Sequence, residues 1–306
     1  MTSPRPRRFA PGQLLVALTT MRRNIGRAFT IGTNPAGAHG MRVWNSKGTI
    51  QPDVTTPPIS PLPDDDGMMS FYLLRHGQTN FNAIGRIQGT LDSSVLTDQG
   101  ISQAHDAGRI LARSPELEFG PTVIVSPMRR AQQTLGCVRQ EFQEVHHDFQ
   151  TVEVVPDIRE IELFEWQGQL VEDIKTQWPE QYEAWTKDPS NFNFSGRYPT
   201  KDLWTRASKA WEEILALESI RDQRNTLVVA HNAINQALLW TALGCDSSYF
   251  RKLPWPNCAV LELQWRRGQK QADRYRWIVP DPSPYVEASD AVRLLKRSED
   301  DNKYTL

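Results

Sequence analysis

Three short polar elements carry the residues of this sequence that could do chemistry, and each directly follows an apolar run. They are Arg75-His76-Gly77 after residues 70–74, Ser126-Pro127-Met128-Arg129-Arg130 after residues 122–125, and His231-Asn232 after residues 226–230. A lone His or Arg after a strand is ordinarily structural or solvated; what gives weight here is three such elements at three strand ends. Arginine's planar fork matches a phosphate bidentately, and the free N–H groups of a helix N-terminus favour an anion. A unit-charge contact at roughly 4 Å contributes about 4 kcal/mol at an effective dielectric near 20, so several would hold a phosphoryl dianion. Histidine can act as a covalent nucleophile that splits one hard displacement into two easier ones, and His76, beside Arg75, is the candidate for that role.

An open α/β sheet would bring these elements together, because ligands bind outside the carboxyl ends of its strands. Strand candidates at 70–74, 122–125, 151–155 and 226–230 alternate with helical patterns, which predicts an α/β fold with a mainly parallel sheet. One helix is expected over 97–113 with Thr97 as its N-cap, and Ser126 followed by Pro127 reads as the start of a second. A third is expected over 200–217, where Leu203, Ala207, Trp211, Ile214 and Leu217 share one face. Runs 258–265 and 273–279 flank the turn-like 266–270 and predict an antiparallel hairpin. No internal repeat is present.

The 306 residues are 39% hydrophobic, enough for a buried core. The longest apolar runs fall far short of the ~20 residues that span a bilayer, so no membrane helix is expected. Cys137, Cys245 and Cys258 are widely spaced, with neither a C-x-x-C pair nor metal-ligand spacing to His. Residues 1–52 hold eight Lys or Arg and no Asp or Glu, leaving 27 basic against 36 acidic residues and a formal charge of −9 for 53–306. Such an acidic body argues against nucleic acid as a partner. The basic, acid-free leader over 1–50 reads as a transit peptide or a disordered segment. A Pro-rich linker ending in an acidic run follows over 51–67, then a folded domain over 68–282 and a C-terminal helix with a polar tail over 283–306.

Leu74-Arg75-His76-Gly77-Gln78-Thr79 with Asn82 resembles the R-H-G-x-T-x-x-N signature of the histidine phosphatase superfamily, and SPMRRAQQT resembles its second-arginine element. Ile158-Arg159-Glu160-Ile161-Glu162, continuing to Trp166-Gln167-Gly168, is similar to the acid-bearing motif, and Val228-Val229-Ala230-His231 to the segment with the second histidine. The four motifs stand in the family's order over about residues 68–279. The resemblance implies a three-layer α/β/α, phosphoglycerate mutase-like fold and a phosphatase that needs neither metal nor other cofactor. His76 would take the phosphoryl group, Arg75, Arg130, His231 and Asn82 would bind its oxygens, and Glu160 would be the proton donor. The register selects Arg130 over Arg129. Arg86, Gln88 and Gly89 would approach the substrate beyond its phosphate, and Asn232, standing where many members carry Gly, would shape the phosphate pocket.

RIQGTLDSSVLT, EAWTKDPSNFNFSGRYPTKDLWTRA, AHNAINQALL and SSYFRKLPWPNCAVLEL together resemble plant and cyanobacterial 2-carboxy-D-arabinitol-1-phosphate phosphatases, which dephosphorylate a nocturnal inhibitor of Rubisco. This implies that compound or a related sugar phosphate as the small-molecule partner. It also implies the chloroplast stroma as the location, with mitochondrion or cytoplasm as alternatives; no membrane partner is implied, and nothing sets an oligomeric state. Glu162 and Glu165 are rivals to Glu160 for proton transfer, or solvated turn residues. Trp166, Arg197, Tyr198 and Trp204 would line the outer pocket or, for the tryptophans, pack in the core. His39, His105, His146 and His147 read as surface or core filler. Two other functions fit the same motifs: a phosphoglycerate mutase, and a catalytically inactive scaffold.

Overall fold

The computed structural model describes residues 67–291. The leader at 1–50, the linker apart from Gly67, the residues after 291 and His39 lie outside them. Among the described residues seven strands are formed: β1 (Met68–Arg75), β2 (Thr122–Val125), β3 (Thr151–Val154), β4 (Asn225–Ala230), β5 (Val260–Arg266), β6 (Arg274–Val279) and β7 (Val286–Glu287). They make one mixed sheet in the order β3-β2-β4-β1-β5-β6-β7. β1 to β4 pair in parallel, whereas β5, β6 and β7 extend the other side of β1 antiparallel, β5 and β6 through the expected hairpin.

The helices are α1 (Asn80–Ala83), α2 (Asp98–Arg113), α3 (Arg129–Gln143), α4 (Val171–Gln177), α5 (Pro179–Lys187), α6 (Pro199–Ala216) and α7 (Asn232–Ala242). Thr97 caps α2 by accepting from the Gly100 N–H, as its side chain predicts. The start of α3 differs from expectation. Met128, not Ser126, is its N-cap, and makes no side-chain capping bond. Ser126, one residue past β2, still bonds to the sheet, its N–H donating to the Val229 carbonyl at 2.9 Å, and its hydroxyl is engaged with His231.

Successive strand residues face opposite sides of a sheet, and β1 shows what covers each. Tyr72 meets Phe119 edge-on at 4.8 Å within a cluster that includes Ala104, Ala107 and Leu111 of α2 and Ala131, Leu135 and Val138 of α3. Phe71 meets Trp211 of α6 at 5.0 Å on the other face, where the Trp211 indole N–H donates to the Leu238 carbonyl of α7 at 2.8 Å. Helices therefore flank both faces in three layers. Trp166 stacks on Phe192 at 5.3 Å beside Trp185 and Phe194, and the Trp204 indole N–H is held by the Cys245 carbonyl, so both tryptophans are packing residues. No helix among the described residues is long and apolar enough to cross a membrane.

Residues 283–287 reveal an element that the sequence did not announce. Tyr285 lies 4.4 Å from the guanidiniums of both Arg274 and Arg276, and its hydroxyl donates to the buried Glu262 at 2.9 Å. This clasp lays β7 on the sheet edge, and helical residues 288–291 follow.

The backbone of the loop after β1 lies directly against that of the first turn of α2. A methyl group on Gly100 would lie 2.0 Å from the Gln78 carbonyl oxygen, and one on Gly77 would lie 2.4 Å from that of Gly100. Gly100→Ala should therefore lower stability by about 1–3 kcal/mol, read as a fall in the urea midpoint. Gly136→Ala in α3, whose added methyl meets nothing within 4 Å, should raise stability by up to about 1 kcal/mol through helix propensity.

Candidate active site

Adjacent strands lie about 4.8 Å apart, so the parallel trio β1, β4 and β2 presents its carboxyl ends side by side. Sheet bonding runs one residue past β1 and β2: the His76 N–H donates to the Ala230 carbonyl at 3.0 Å, and the Ser126 N–H to that of Val229. The His76 and His231 rings consequently stand 5.2 Å apart between centroids, both buried. Arg130, in the first turn of α3, is fully buried beside them, whereas Arg129 is exposed.

Hydrogen bonds assign the imidazole protons. His76 Nδ1 lies 2.7 Å from the Gly77 carbonyl, which can only accept, so Nδ1 carries the hydrogen and Nε2 keeps the lone pair. His231 is the opposite tautomer. Its Nδ1 accepts from Arg130 Nε at 3.2 Å, so Nε2–H donates to Ser126 Oγ at 2.7 Å. Burial holds both imidazoles well below the ordinary histidine value, with Arg130 and Arg75 adding to the effect in each.

Arg130 is gripped by backbone: Nη1 donates to the Leu91 carbonyl at 2.9 Å and Nη2 to that of Gly89 at 2.8 Å. Arg75 Nη1 donates to the Trp255 carbonyl at 2.6 Å, while its Nε is buried with no partner among the described residues. Burial lowers both guanidiniums to about 10, against the opposing charge of Glu160, so both remain cationic at neutral pH. The Glu160 carboxylate accepts from the N–H groups of Ala233 (3.1 and 3.2 Å) and Ile234 (3.2 Å) in the first turn of α7, a favourable end of the helix dipole for an anion.

The structure thus gathers His76, His231, Arg75, Arg130 and Glu160. Thr79 caps α1 and Asn82 reciprocates: Asn82 Oδ1 accepts from the Thr79 N–H at 3.2 Å, and Asn257 Nδ2 approaches that oxygen at 3.4 Å. Gln88 Oε1 accepts from Thr79 Oγ1 at 3.0 Å, and Gly89, at φ +51, turns its carbonyl to Arg130. A methyl group on Gly89 would strike the Gln167 amide. Asn232 accepts from Gln236 Nε2 at 3.1 Å along α7. Arg86 holds the Gly168 carbonyl at 2.6 Å. Of the rival carboxylates, Glu162 is exposed and Glu165 is paired to Arg197 at 2.8 Å, which also covers the Phe164 ring at 3.7 Å. Tyr198 is exposed. His105 pairs with Glu141 between α2 and α3, His147 packs on Phe142 and Phe149, and His146 is exposed.

Three participants escaped the sequence reading. Ser126 Oγ accepts from the His231 Nε2–H in the tautomer that Arg130 imposes, and its position one residue past β2, level with His76 and His231 past their strands, was the available signal. The Asn257 amide donates to the His76 carbonyl at 2.9 Å, from a loop whose Cys258 N–H also binds the Arg75 carbonyl. Arg206 on α6 binds three carbonyls next to Glu160. Neither of the last two had a local signal. Among the described residues no group of three or more His, Cys, Asp or Glu is placed to hold a metal ion. One buried and one partly buried cation, an imidazole lone pair and a helix-bound carboxylate are the parts needed to hold a tetrahedral dianion, attack it and move a proton.

A family model described as histidine phosphatase superfamily (branch 1) matches residues 71–278. A probable 2-carboxy-D-arabinitol-1-phosphatase of Arabidopsis thaliana is 40% identical over 194 residues, 63% of this chain and 37% of that protein. The 2-carboxy-D-arabinitol-1-phosphatase of Triticum aestivum is 37% identical over 211 residues, 68% of this chain and 39% of that protein. The chain thus spans about two fifths of the length of these relatives. The native structure of mycobacterial glucosyl-3-phosphoglycerate phosphatase superposes with a TM-score of 0.57 at 26% identity, covering 71% of this chain and all of that one.

The depressed histidines give stability a pH dependence. The unfolded chain binds protons at about pH 6.5 that the folded site refuses, so this contribution is complete above that value and is lost as pH falls below it. Between pH 7.5 and 5.5 both histidines should therefore contribute to a fall in unfolding free energy. Urea titrations at the two values should show that fall shrinking in His231→Gln and shrinking further in the double variant with His76→Gln.

Proposed function

Because this chain belongs to the histidine phosphatase superfamily, we propose that it is a phosphoric monoester hydrolase working through a phosphohistidine on His76. The observation that carries this reading is the His76 tautomer: Nδ1–H is fixed on the Gly77 carbonyl, leaving Nε2 unprotonated beside the guanidiniums of Arg130 and Arg75. In the first step Nε2 attacks phosphorus in line and the bond to the ester oxygen breaks. The Glu160 carboxyl gives its proton to that oxygen. In the second step Glu160 takes a proton from water as the water oxygen attacks phosphorus, and the P–N bond breaks to return free His76. Arg75, Arg130, His231 and the Asn82 amide hold the non-bridging oxygens, with Gln88, Gly89 and Asn232 shaping the surrounding pocket. Positioning and charge stabilisation dominate such transfers, and here arginines supply the positive charge, so the scheme calls for no metal or cofactor.

The substrate in this reading is 2-carboxy-D-arabinitol 1-phosphate or a related sugar phosphate, supported by the identity to the two plant proteins. The same likeness, with the basic leader, supports a stromal address; the domain bounds of 68–282 belong to the same reading.

Phosphate release should be measured in EDTA from 2-carboxy-D-arabinitol 1-phosphate, ribulose 1,5-bisphosphate, 3-phosphoglycerate and an aryl phosphate. The expected result is release that survives EDTA, an acid-labile phosphoenzyme on rapid quenching, loss of both in His76→Ala, and a fall of about 10²–10³ in kcat for Arg130→Ala. Isomerisation of 3-phosphoglycerate without net release would instead make the protein a mutase, and no turnover of any compound would leave a scaffold.

A further inference from the structure

Glu160 lies in a segment with little regular structure of its own. The single turn before it is closed by long bonds of 3.3 Å from the Ile158 and Arg159 N–H groups, and the Ile161 N–H turns back to the Glu160 carboxylate at 2.9 Å. Yet a general acid must stand within hydrogen-bond reach of its oxygen, and a displacement of about 1 Å can cost about 100-fold in rate. The segment needs an external brace.

One guanidinium supplies it. Arg206, on α6, donates from Nη1 to the carbonyls of Asp157 at 3.1 Å and Arg159 at 2.5 Å, and from Nη2 to the carbonyl of Glu160 itself at 2.9 Å. The opposite end of the same residue, its carboxylate, is held by the α7 N-terminus. Main chain and side chain of Glu160 are therefore anchored to two different helices. Burial lowers Arg206 to about 10, with Arg159 adding and Glu160, Asp157 and Glu162 opposing; it remains charged at neutral pH. A planar fork spreads its donors over separate nitrogens and can reach three carbonyls at once, whereas a lysine gathers its three donors on one nitrogen.

We infer that Arg206 is a positioning residue for proton transfer by Glu160, clamping three carbonyls so that the carboxyl reaches the leaving oxygen. The inference rests on the reading of Glu160 as the general acid. It predicts a loss that depends on the leaving group. A dinitrophenolate departs without a proton, so its expulsion is insensitive to where Glu160 sits; an alkoxide needs the proton.

The test is the single-turnover rate of phosphoenzyme formation, by quench-flow, from 2,4-dinitrophenyl phosphate and from the alkyl phosphate that the assay above ranks first. Arg206→Lys, Arg206→Gln and Glu160→Gln are compared with the unaltered protein. We expect Arg206→Lys to slow the alkyl phosphate about 30- to 100-fold more than the dinitrophenyl ester, Arg206→Gln to show the same selectivity, and Glu160→Gln to show it more strongly. The dinitrophenyl rate reports in the same experiment that each variant has folded. Equal losses on both substrates in both Arg206 variants, beside a selective loss in Glu160→Gln, would overturn the positioning role and leave Glu160 as the acid. No selectivity in Glu160→Gln would remove the acid role, and the inference with it.

Discussion

A guanidinium withdrawn from water must find acceptors for its N–H groups, and an ion pair is only one way to provide them. Here backbone carbonyls do most of that work. Gly89 and Leu91 take protons from Arg130, Trp255 from Arg75, and Asp157, Arg159 and Glu160 from Arg206. The choice has an electrostatic meaning. A carboxylate partner would neutralise the cation, whereas a carbonyl satisfies its geometry and leaves its charge to act on an incoming anion.

The central sheet sets the positions that these loops refine. Parallel pairing of β1 with β4 and of β4 with β2 brings three strand ends level, and the two imidazoles follow. Backbone contacts then remove the remaining freedom. The Arg75 N–H is bound by the Ala259 carbonyl, its carbonyl by the Cys258 N–H, and the His76 carbonyl by the Asn257 amide. That loop returns Cys258 through the left-handed region at φ +55, a costly conformation for a residue with a Cβ. Strain of this kind persists where surrounding bonds over-determine it, and here those bonds flank His76.

Much of this was legible in the sequence because it depends on local signals. An apolar run followed by a polar residue marks a strand end, which identifies His76 and His231 and locates Arg130 a short distance beyond β2. Thr97 could be read as a cap because its partner lies three residues away. Ser126 was misread for the same reason: Ser-Pro is a strong local start signal, while its actual partner is 105 residues distant. Arg206 stands beside Ala207 in an ordinary amphipathic helix, and nothing within one turn shows that three carbonyls from before α4 await it. β7 is only two residues long and exists through the Tyr285 clasp, so no periodicity could reveal it.

The bond from Arg130 Nε to His231 Nδ1 occupies the nitrogen that would otherwise bind a proton. An anion that draws Arg130 toward itself would free that nitrogen in a site now carrying added negative charge, and His231 would then take up a proton from solvent. Ligand capture would in that way be coupled to buffer: calorimetric heats of phosphate binding would scale with the ionisation enthalpy of the buffer used, by up to one proton per site.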